Sequence, residues 1–355
     1  MLRIAILQYR LMEYRQEFYA HLSKSSRFKY SVYSDESKLN IDNNNCSLEV
    51  ILGSNLQSVI RDRLYFWKKL PFIELIQRYD VIIIPTNMRI ANLILLLALA
   101  RFSRTKVIGW GHRRSSHSTN YRSAVGDFFR HFFDYLIFYF SHETLGEFDY
   151  KKGYLENTVN TDAIKFEIKN RLVVKDRNSV KNTLKVIFLG RLNEKSNVSL
   201  LLDLALSLND AHFEFHFIGE YGNFCDSHSA KNIIYHGALF DEVEISKVML
   251  DMDVFVYPGT VGLSLIHSFC YGVPAILHSN KNHHNPEYGV FLDGINGWSF
   301  EEDCAQSLGQ LLIHLHANPV LVKEAKNHLT CFIDDQSSKK MAERFESCIE
   351  KCVAQ

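Results

Sequence analysis

Apolar residues in this chain fall into two kinds of run that alternate along its length. Short, nearly continuous stretches read as buried strands. In order they are Arg3 to Leu7, Phe28 to Tyr33, Asp80 to Pro85, Lys106 to Trp110, Leu184 to Gly190, His212 to Ile218, Ile233 to Leu239 with its turn, Val254 to Tyr257 and Val273 to Leu277. Between several of them the spacing becomes helical: Phe18, Tyr19 and Leu22, then Ala91 to Ala100, then Leu263, Leu265, Ile266, Phe269 and Cys270, with Gly272 as a stop. Strands that are apolar throughout are covered on both faces, and strand-helix alternation predicts doubly wound α/β domains. A last amphipathic helix over Ser337 to Val353 gathers Met341, Phe345, Cys348, Ile349 and Cys352 on one side.

Two segments are less regular. Arg61 to Leu75 has helical character, with Arg61, Arg63, Lys68 and Lys69 between Leu64, Phe66, Trp67 and Leu70. Phe128 to Phe140 is dense in aromatic rings and reads as helix core followed by a strand from Tyr135. The loop Gln8 to Gln16 after the first strand lacks the glycines of a dinucleotide fingerprint, so hydride chemistry has no support there.

With 355 residues, 46% of them apolar, the chain fits two domains of ordinary size. Its net charge is zero but unevenly divided: residues 1 to 170 hold 24 basic against 17 acidic side chains, and residues 171 to 355 hold 16 against 23. A basic first half suits an anionic acceptor or the surface of an anionic membrane, or else is a solvated face. Seven cysteines without a Cys-x-x-Cys pair indicate neither a disulfide framework nor a zinc knuckle. The opening residues lack a signal-peptide pattern, and the longest apolar run, Ile90 to Ala100, is too short to span a bilayer. The expectation is a reduced, cytoplasmic protein able to lie at the inner face of a membrane, with no nucleic-acid partner.

Candidate chemistry concentrates between Val254 and Trp298. A strand, a turn at Pro258-Gly259, a helix from Gly262 and a second strand point backbone N–H groups and a helix dipole at one place, as an anion site requires, although an ordinary crossover has the same pattern. Gly190-Arg191-Leu192-Asn193-Glu194-Lys195 sets two cations just past a strand end, where a diphosphate leaving group gains charge as its bond breaks. His112 follows the strand Lys106 to Trp110, beyond a C-terminal strand end, with Arg113 and Arg114 next to it. Asp251-Met252-Asp253 spells a metal motif but precedes a strand and reads as structural. His278, His283 and His284 lack a further ligand at zinc spacing other than Glu287, which the Pro-Glu turn explains.

In its order of motifs, P..VGL...H...YG.PAI, H.PE and DG.NG after a GR...K signature, the C-terminal half resembles the nucleotide-sugar half of the retaining GT-B glycosyltransferases of bacterial polysaccharide type, family 4-like. The resemblance implies two Rossmann-like domains facing across a cleft: residues 1–165 for the acceptor, 170–335 for the nucleotide sugar, and a helix at 336–355 packing back toward the first. It places Gly190, Arg191 and Lys195 at the donor diphosphate. Gly219, Ala238, Leu239, Gly259, Thr260, Val261, Gly262, Leu263, His267, Asn285 and Pro286 would surround the nucleotide and sugar. His112 and Glu287 would be the catalytic positions. Tyr14, Arg15, Arg113 and Arg114 would meet a glycan or lipid-linked acceptor, Tyr14 and Arg15 otherwise being surface residues of a helix start. The family usually carries two glutamates separated by seven residues where this chain has Gly259 and His267. Retention follows from front-face attack assisted by the leaving phosphate, so neither a protein base, a cofactor nor a metal is expected. A GT-B epimerase or phosphorylase and a non-catalytic sugar-binding protein are the rival functions.

Overall fold

Ile4 and Ile6 lie in one hydrophobic core and Ala5 and Leu7 in another, so the first strand is buried on both faces of its sheet, as its unbroken apolar sequence predicts. The computed structural model describes residues 1–37, 47–53, 56–60, 64–87, 89–112, 128–145, 151–172, 183–208, 212–220 and 230–355. It divides into unit 1, Met1–Asn160 with Ser338–Gln355, and unit 2, Thr161–Ser337.

Unit 1 is built on seven parallel strands: β1 Leu2–Leu7, β2 Phe28–Ser34, β3 Leu48–Leu52, β4 Val81–Pro85, β5 Lys106–Gly111, β6 Tyr135–Phe138 and β7 Lys152–Tyr154. Their spatial order is β7-β6-β5-β4-β1-β2-β3. Strand order therefore reverses between β1 and β4. Helix α1, Gln16–Leu22, covers one face together with the last helix, and α2, Ala91–Ala100, covers the other.

Unit 2 repeats the plan with six parallel strands: β8 Leu184–Leu189, β9 Phe213–Ile218, β10 Ile233–Gly237, β11 Val254–Tyr257, β12 Ala275–His278 and β13 Gly297–Phe300. The order β10-β9-β8-β11-β12-β13 is that of a doubly wound dinucleotide-type domain, with its reversal between β8 and β11. The helices used below are α3 Thr161–Leu172, α4 Val198–Ser207, α5 Glu242–Met249 and α6 Leu263–Cys270.

Arg61 to Leu75 corrects one expectation. Leu64–Trp67 is a strand paired antiparallel with Leu56–Ile60, and a helix begins only at Phe72. Trp67 is buried and Phe66 is exposed, the alternation of a strand and not of a helix. Asn92 explains how this strand is held: its Oδ1 accepts from the Trp67 amide at 3.1 Å and its Nδ2 donates to the Trp67 carbonyl at 2.7 Å. A buried amide in the apolar run of α2 thus acts as a strand partner.

The chain's last helix, α7, Ser338–Val353, belongs to unit 1. Phe345 is fully buried, its ring 5.4 Å from Phe18 and 5.1 Å from Trp110. At the rim Arg27 donates to Glu350 at 2.6 Å and to Glu346, which also accepts from the Tyr30 hydroxyl. Gly153 lets the helix approach β7, since a Cβ there would lie 2.5 Å from Cys348 Sγ. Phe345→Ala should cost about 3–5 kcal/mol, the usual range for removing a buried ring. A denaturant midpoint nearly unchanged from wild type would show that α7 is not part of this core.

Candidate nucleotide-sugar site

In unit 2 the ends of three strands are tied together by glycines. Gly190 donates to the Ile218 carbonyl at 3.0 Å and Gly219 to the Gly237 carbonyl at 2.9 Å. A Cβ on Gly219 would lie 1.9 Å from the Gly190 carbonyl oxygen, so no larger residue fits. Ala238 and Leu239 continue from Gly237 on the same rim.

Past Gly190 the chain turns through a short 3-10 segment, Glu194–Ser196, capped by Asn193, whose Oδ1 accepts from the Ser196 amide at 3.2 Å. Asn197 in the left-handed conformation then opens α4. Arg191 and Lys195 are both exposed, and neither has a carboxylate partner among the described residues. Two exposed cations beside a capped turn are available to an anion without first breaking an ion pair.

Across the switch point, the turn after β11 locks onto this segment. Thr260 N–H donates to the Lys195 carbonyl at 3.1 Å, and a Cβ on Gly259 would lie 2.2 Å from that same oxygen. The glutamate usual in the resembled family has no room at Gly259, because the backbone of Lys195 and Ser196 occupies the space. Gly262 then caps α6, whose first turn opens with Leu263 and brings unpaired amides and the positive dipole end to the same rim.

The second half of the turn is held from the far side. Val261 N–H donates to His284 Nδ1 at 3.3 Å, His284 Nε2 donates to the His278 carbonyl at 2.9 Å, and Asn285 N–H donates to the Val261 carbonyl at 3.2 Å. The His284 ring is sandwiched between His278 at 3.8 Å and Tyr288 at 4.4 Å. The histidines thus form a structural stack. Asn285 and Pro286 lead into the 3-10 turn Pro286–Val290, in which Glu287 is buried. His267, one turn into α6, is not left as a lone imidazole: Glu242 at the start of α5 approaches its Nε2 to 2.9 Å and accepts from the Tyr271 hydroxyl at 2.7 Å. Glu242 is a functional candidate that the sequence motifs missed; its only signal was its acidic place at a helix start, facing His267 and Tyr271 at i, i+4 spacing.

Asp253 is structural, its Oδ2 accepting from the Lys185 amide at 3.0 Å and its Oδ1 meeting Lys326 at 3.0 Å. Among the described residues no group of three or more His, Cys, Asp or Glu side chains is arranged to hold a metal ion.

The remaining candidates lie in unit 1. His112 follows β5 with Nδ1 at 3.3 Å from Glu143 Oε1, and its ring lies 4.4 Å from that of Tyr139. Glu143, a partner that sequence gave no sign of, is itself held by the Phe140 amide at 3.1 Å. Arg15 is no surface residue: it is 6% exposed, donates through Nη2 to Asn157 Oδ1 at 3.1 Å, and lies over the rings of Tyr14, Trp110 and Tyr139. Arg113 and Arg114 lie outside the described residues.

Residues 171–330 match the family model for glycosyl transferases group 1. A comparison with curated proteins gives no significant match. Among solved structures, a glycosyltransferase from Rickettsia africae ESF-5 is 12% identical with a TM-score of 0.69, covering 100% of this chain and 99% of that one. Anabaena HepE in complex with UDP is 13% identical with a TM-score of 0.67, covering 99% and 100%. Sucrose-phosphate synthase from Thermosynechococcus elongatus is 11% identical with a TM-score of 0.70, covering 100% of both.

Two variants probe the turn. Gly259→Glu, which rebuilds the glutamate of the resembled family, should destabilise unit 2 and weaken nucleotide binding; a stable variant with stronger binding would contradict the packing described. Burial pushes the His284 imidazole down to about 4, and its Nδ1 must stay unprotonated to accept from Val261. An unfolded histidine titrates near about 6.5, so this group's stabilisation is complete above that pH and is lost as pH falls toward about 4. His216 is pushed down in the same direction, also mainly by burial. The melting temperature should therefore drop between about pH 6.5 and pH 4, less steeply in His284→Gln. An equal slope in the variant would remove His284 as a cause.

With its two parallel-sheet units the chain has the GT-B fold of glycosyltransferase structures, and residues 171–330 of its second unit are similar to glycosyl transferases group 1.

Proposed function

We propose that this chain transfers a sugar from a nucleotide-sugar donor to a glycan or lipid-linked acceptor of a surface polysaccharide or glycolipid pathway, with retention at the anomeric carbon and without a metal. The observation that carries it is the switch point of unit 2. There the exposed cations Arg191 and Lys195 stand beside the amide end of α6, and the two segments are joined by the Thr260 to Lys195 hydrogen bond. A diphosphate held there gains negative charge as the glycosidic bond to the sugar breaks, and fixed cations stabilise that charge most in the transition state. Glu242, brought to His267, supplies a carboxylate able to accept from ribose hydroxyls, one step removed from its usual place on the helix. The HepE structures hold UDP or UDP-glucose, which makes uridine diphosphate the first ligand to try.

A second function rests on Gly259. A turn with no space for a side-chain carboxylate also suits a protein that binds a sugar nucleotide and does not turn it over. Acceptor-dependent release of nucleoside diphosphate separates the two. No helix among the described residues is long and apolar enough to cross a membrane; attachment to a membrane surface would fall to the basic excess of the first half, in a cytoplasmic protein.

Thermal shift with UDP, GDP, dTDP, CDP and ADP, with and without Mg²⁺ or EDTA, tests the donor site. One diphosphate at a hundredfold excess over its dissociation constant should stabilise by about 2.7 kcal/mol. The shift should be independent of metal and lost in Arg191→Ala. No shift with any of the five would overturn the diphosphate assignment.

A further inference from the structure

Unit 1 has its own switch point, between β1 and β4, and a cavity of about 460 Å³ opens there, within the size range of small-molecule sites. It is lined by residues of the loop after β1, Tyr14 and Arg15 among them, by Asn87 and Arg89 beyond β4, and by Trp110 and Tyr139. Its charged lining residues are Arg10, Arg15 and Arg89; no carboxylate lines it among the described residues. Arg10 is neutralised at the rim by Glu36 at 3.0 Å.

Among the described residues Arg15 has no such partner. Its guanidinium is buried, its Nη2 is used by Asn157, and its Nη1 has no hydrogen-bond partner. The indole N–H of Trp110, which is 3% exposed, is also without one. A buried N–H left unpaired is costly, and a buried cation without a counter-ion is more so. The guanidinium is 5.1 Å from the Trp110 ring and 5.1 Å from the Tyr139 ring, which hold its plane in place. Tyr139 in turn touches the ring of His112. Two orphaned donors on the walls of one acid-free cavity are satisfied together by an oxyanion.

We infer that this cavity binds a sugar bearing an oxyanion, a carboxylate or a phosphate, through Arg15 Nη1 and the Trp110 indole N–H. Resting on the assignment of unit 1 to the acceptor, this makes the acceptor an acidic carbohydrate. The neutral sugar of the same ring size is excluded because it leaves the guanidinium without its charge partner.

Calorimetric titration of the full chain with glucose, glucuronate, glucose 6-phosphate and inorganic phosphate tests it. At least one of the two acidic sugars should bind where glucose does not. Binding of glucuronate alone assigns a carboxylate, and binding of glucose 6-phosphate with competition by inorganic phosphate assigns a phosphate. Arg15→Gln should weaken the acidic sugar by about tenfold or more, and Trp110→Phe should weaken it by a smaller factor. Glucose binding as tightly as the acids, no binding of either acid, or an affinity unchanged in Arg15→Gln would each overturn the inference. If Arg15→Gln fails to fold, Trp110→Phe and the comparison of acidic with neutral sugar decide. The five nucleoside diphosphates are titrated in parallel: binding of one of them without any acidic-sugar binding sinks this inference alone, and failure of all five counts against the donor site while the Arg15 result stands by itself.

Discussion

The contact on which unit 2 depends is the approach of the β11–α6 turn to the backbone after β8. Gly259 sits against the Lys195 carbonyl too closely for any Cβ, and the Thr260 amide donates to the same oxygen. One oxygen therefore fixes the distance between the loop that carries the cations and the helix end that carries the amides. Everything proposed about the donor rests on that distance being set before a ligand arrives, since preorganised charge costs no rearrangement when the leaving group develops its own. The cost of the arrangement is the missing glutamate. With the turn pressed onto Lys195, the carboxylate that meets α6 comes from α5, as Glu242 against His267 and Tyr271, and not from the turn itself.

Both units use the same rule of parallel sheets, that side chains beyond the point of strand reversal face open space and not a neighbouring crossover. They fill that space with opposite solutions. Unit 2 leaves its cations exposed on a backbone-lined rim, while unit 1 buries Arg15 among aromatic rings and holds it by one amide. An exposed cation suits a ligand that brings its own high charge, and a buried one suits discrimination, because its penalty is relieved only by a ligand of the right sign.

Much of the fold was legible because buried parallel strands leave an unbroken apolar signature, as in Val81 to Ile84 and Leu184 to Leu189. The glycine-turn-helix unit at Gly259 to Leu263 was legible for a similar local reason. What stayed hidden was set by residues far apart in the chain. Leu64–Trp67 reads as helix until Asn92, 25 residues away, is seen to pair with its backbone. Arg15 reads as a residue of a polar loop until Trp110, Tyr139 and Asn157 close over it. The partners of the candidate histidines were hidden in the same way: Glu143 is 31 positions from His112, and Glu242 is 25 from His267. No periodicity records a contact at such separations, whereas a glycine that cannot be replaced leaves its mark in the sequence itself.

The central claim is that a nucleoside diphosphate is held by the backbone and cations on either side of the Thr260 to Lys195 hydrogen bond. Hydrogen exchange of the full chain, with and without saturating diphosphate, tests it most directly. Amides in residues 190–196 and 258–264 should exchange more slowly with the diphosphate bound, where the ligand would cover both segments together. Binding accompanied by protection only in unit 1, with these two segments unchanged, would contradict it.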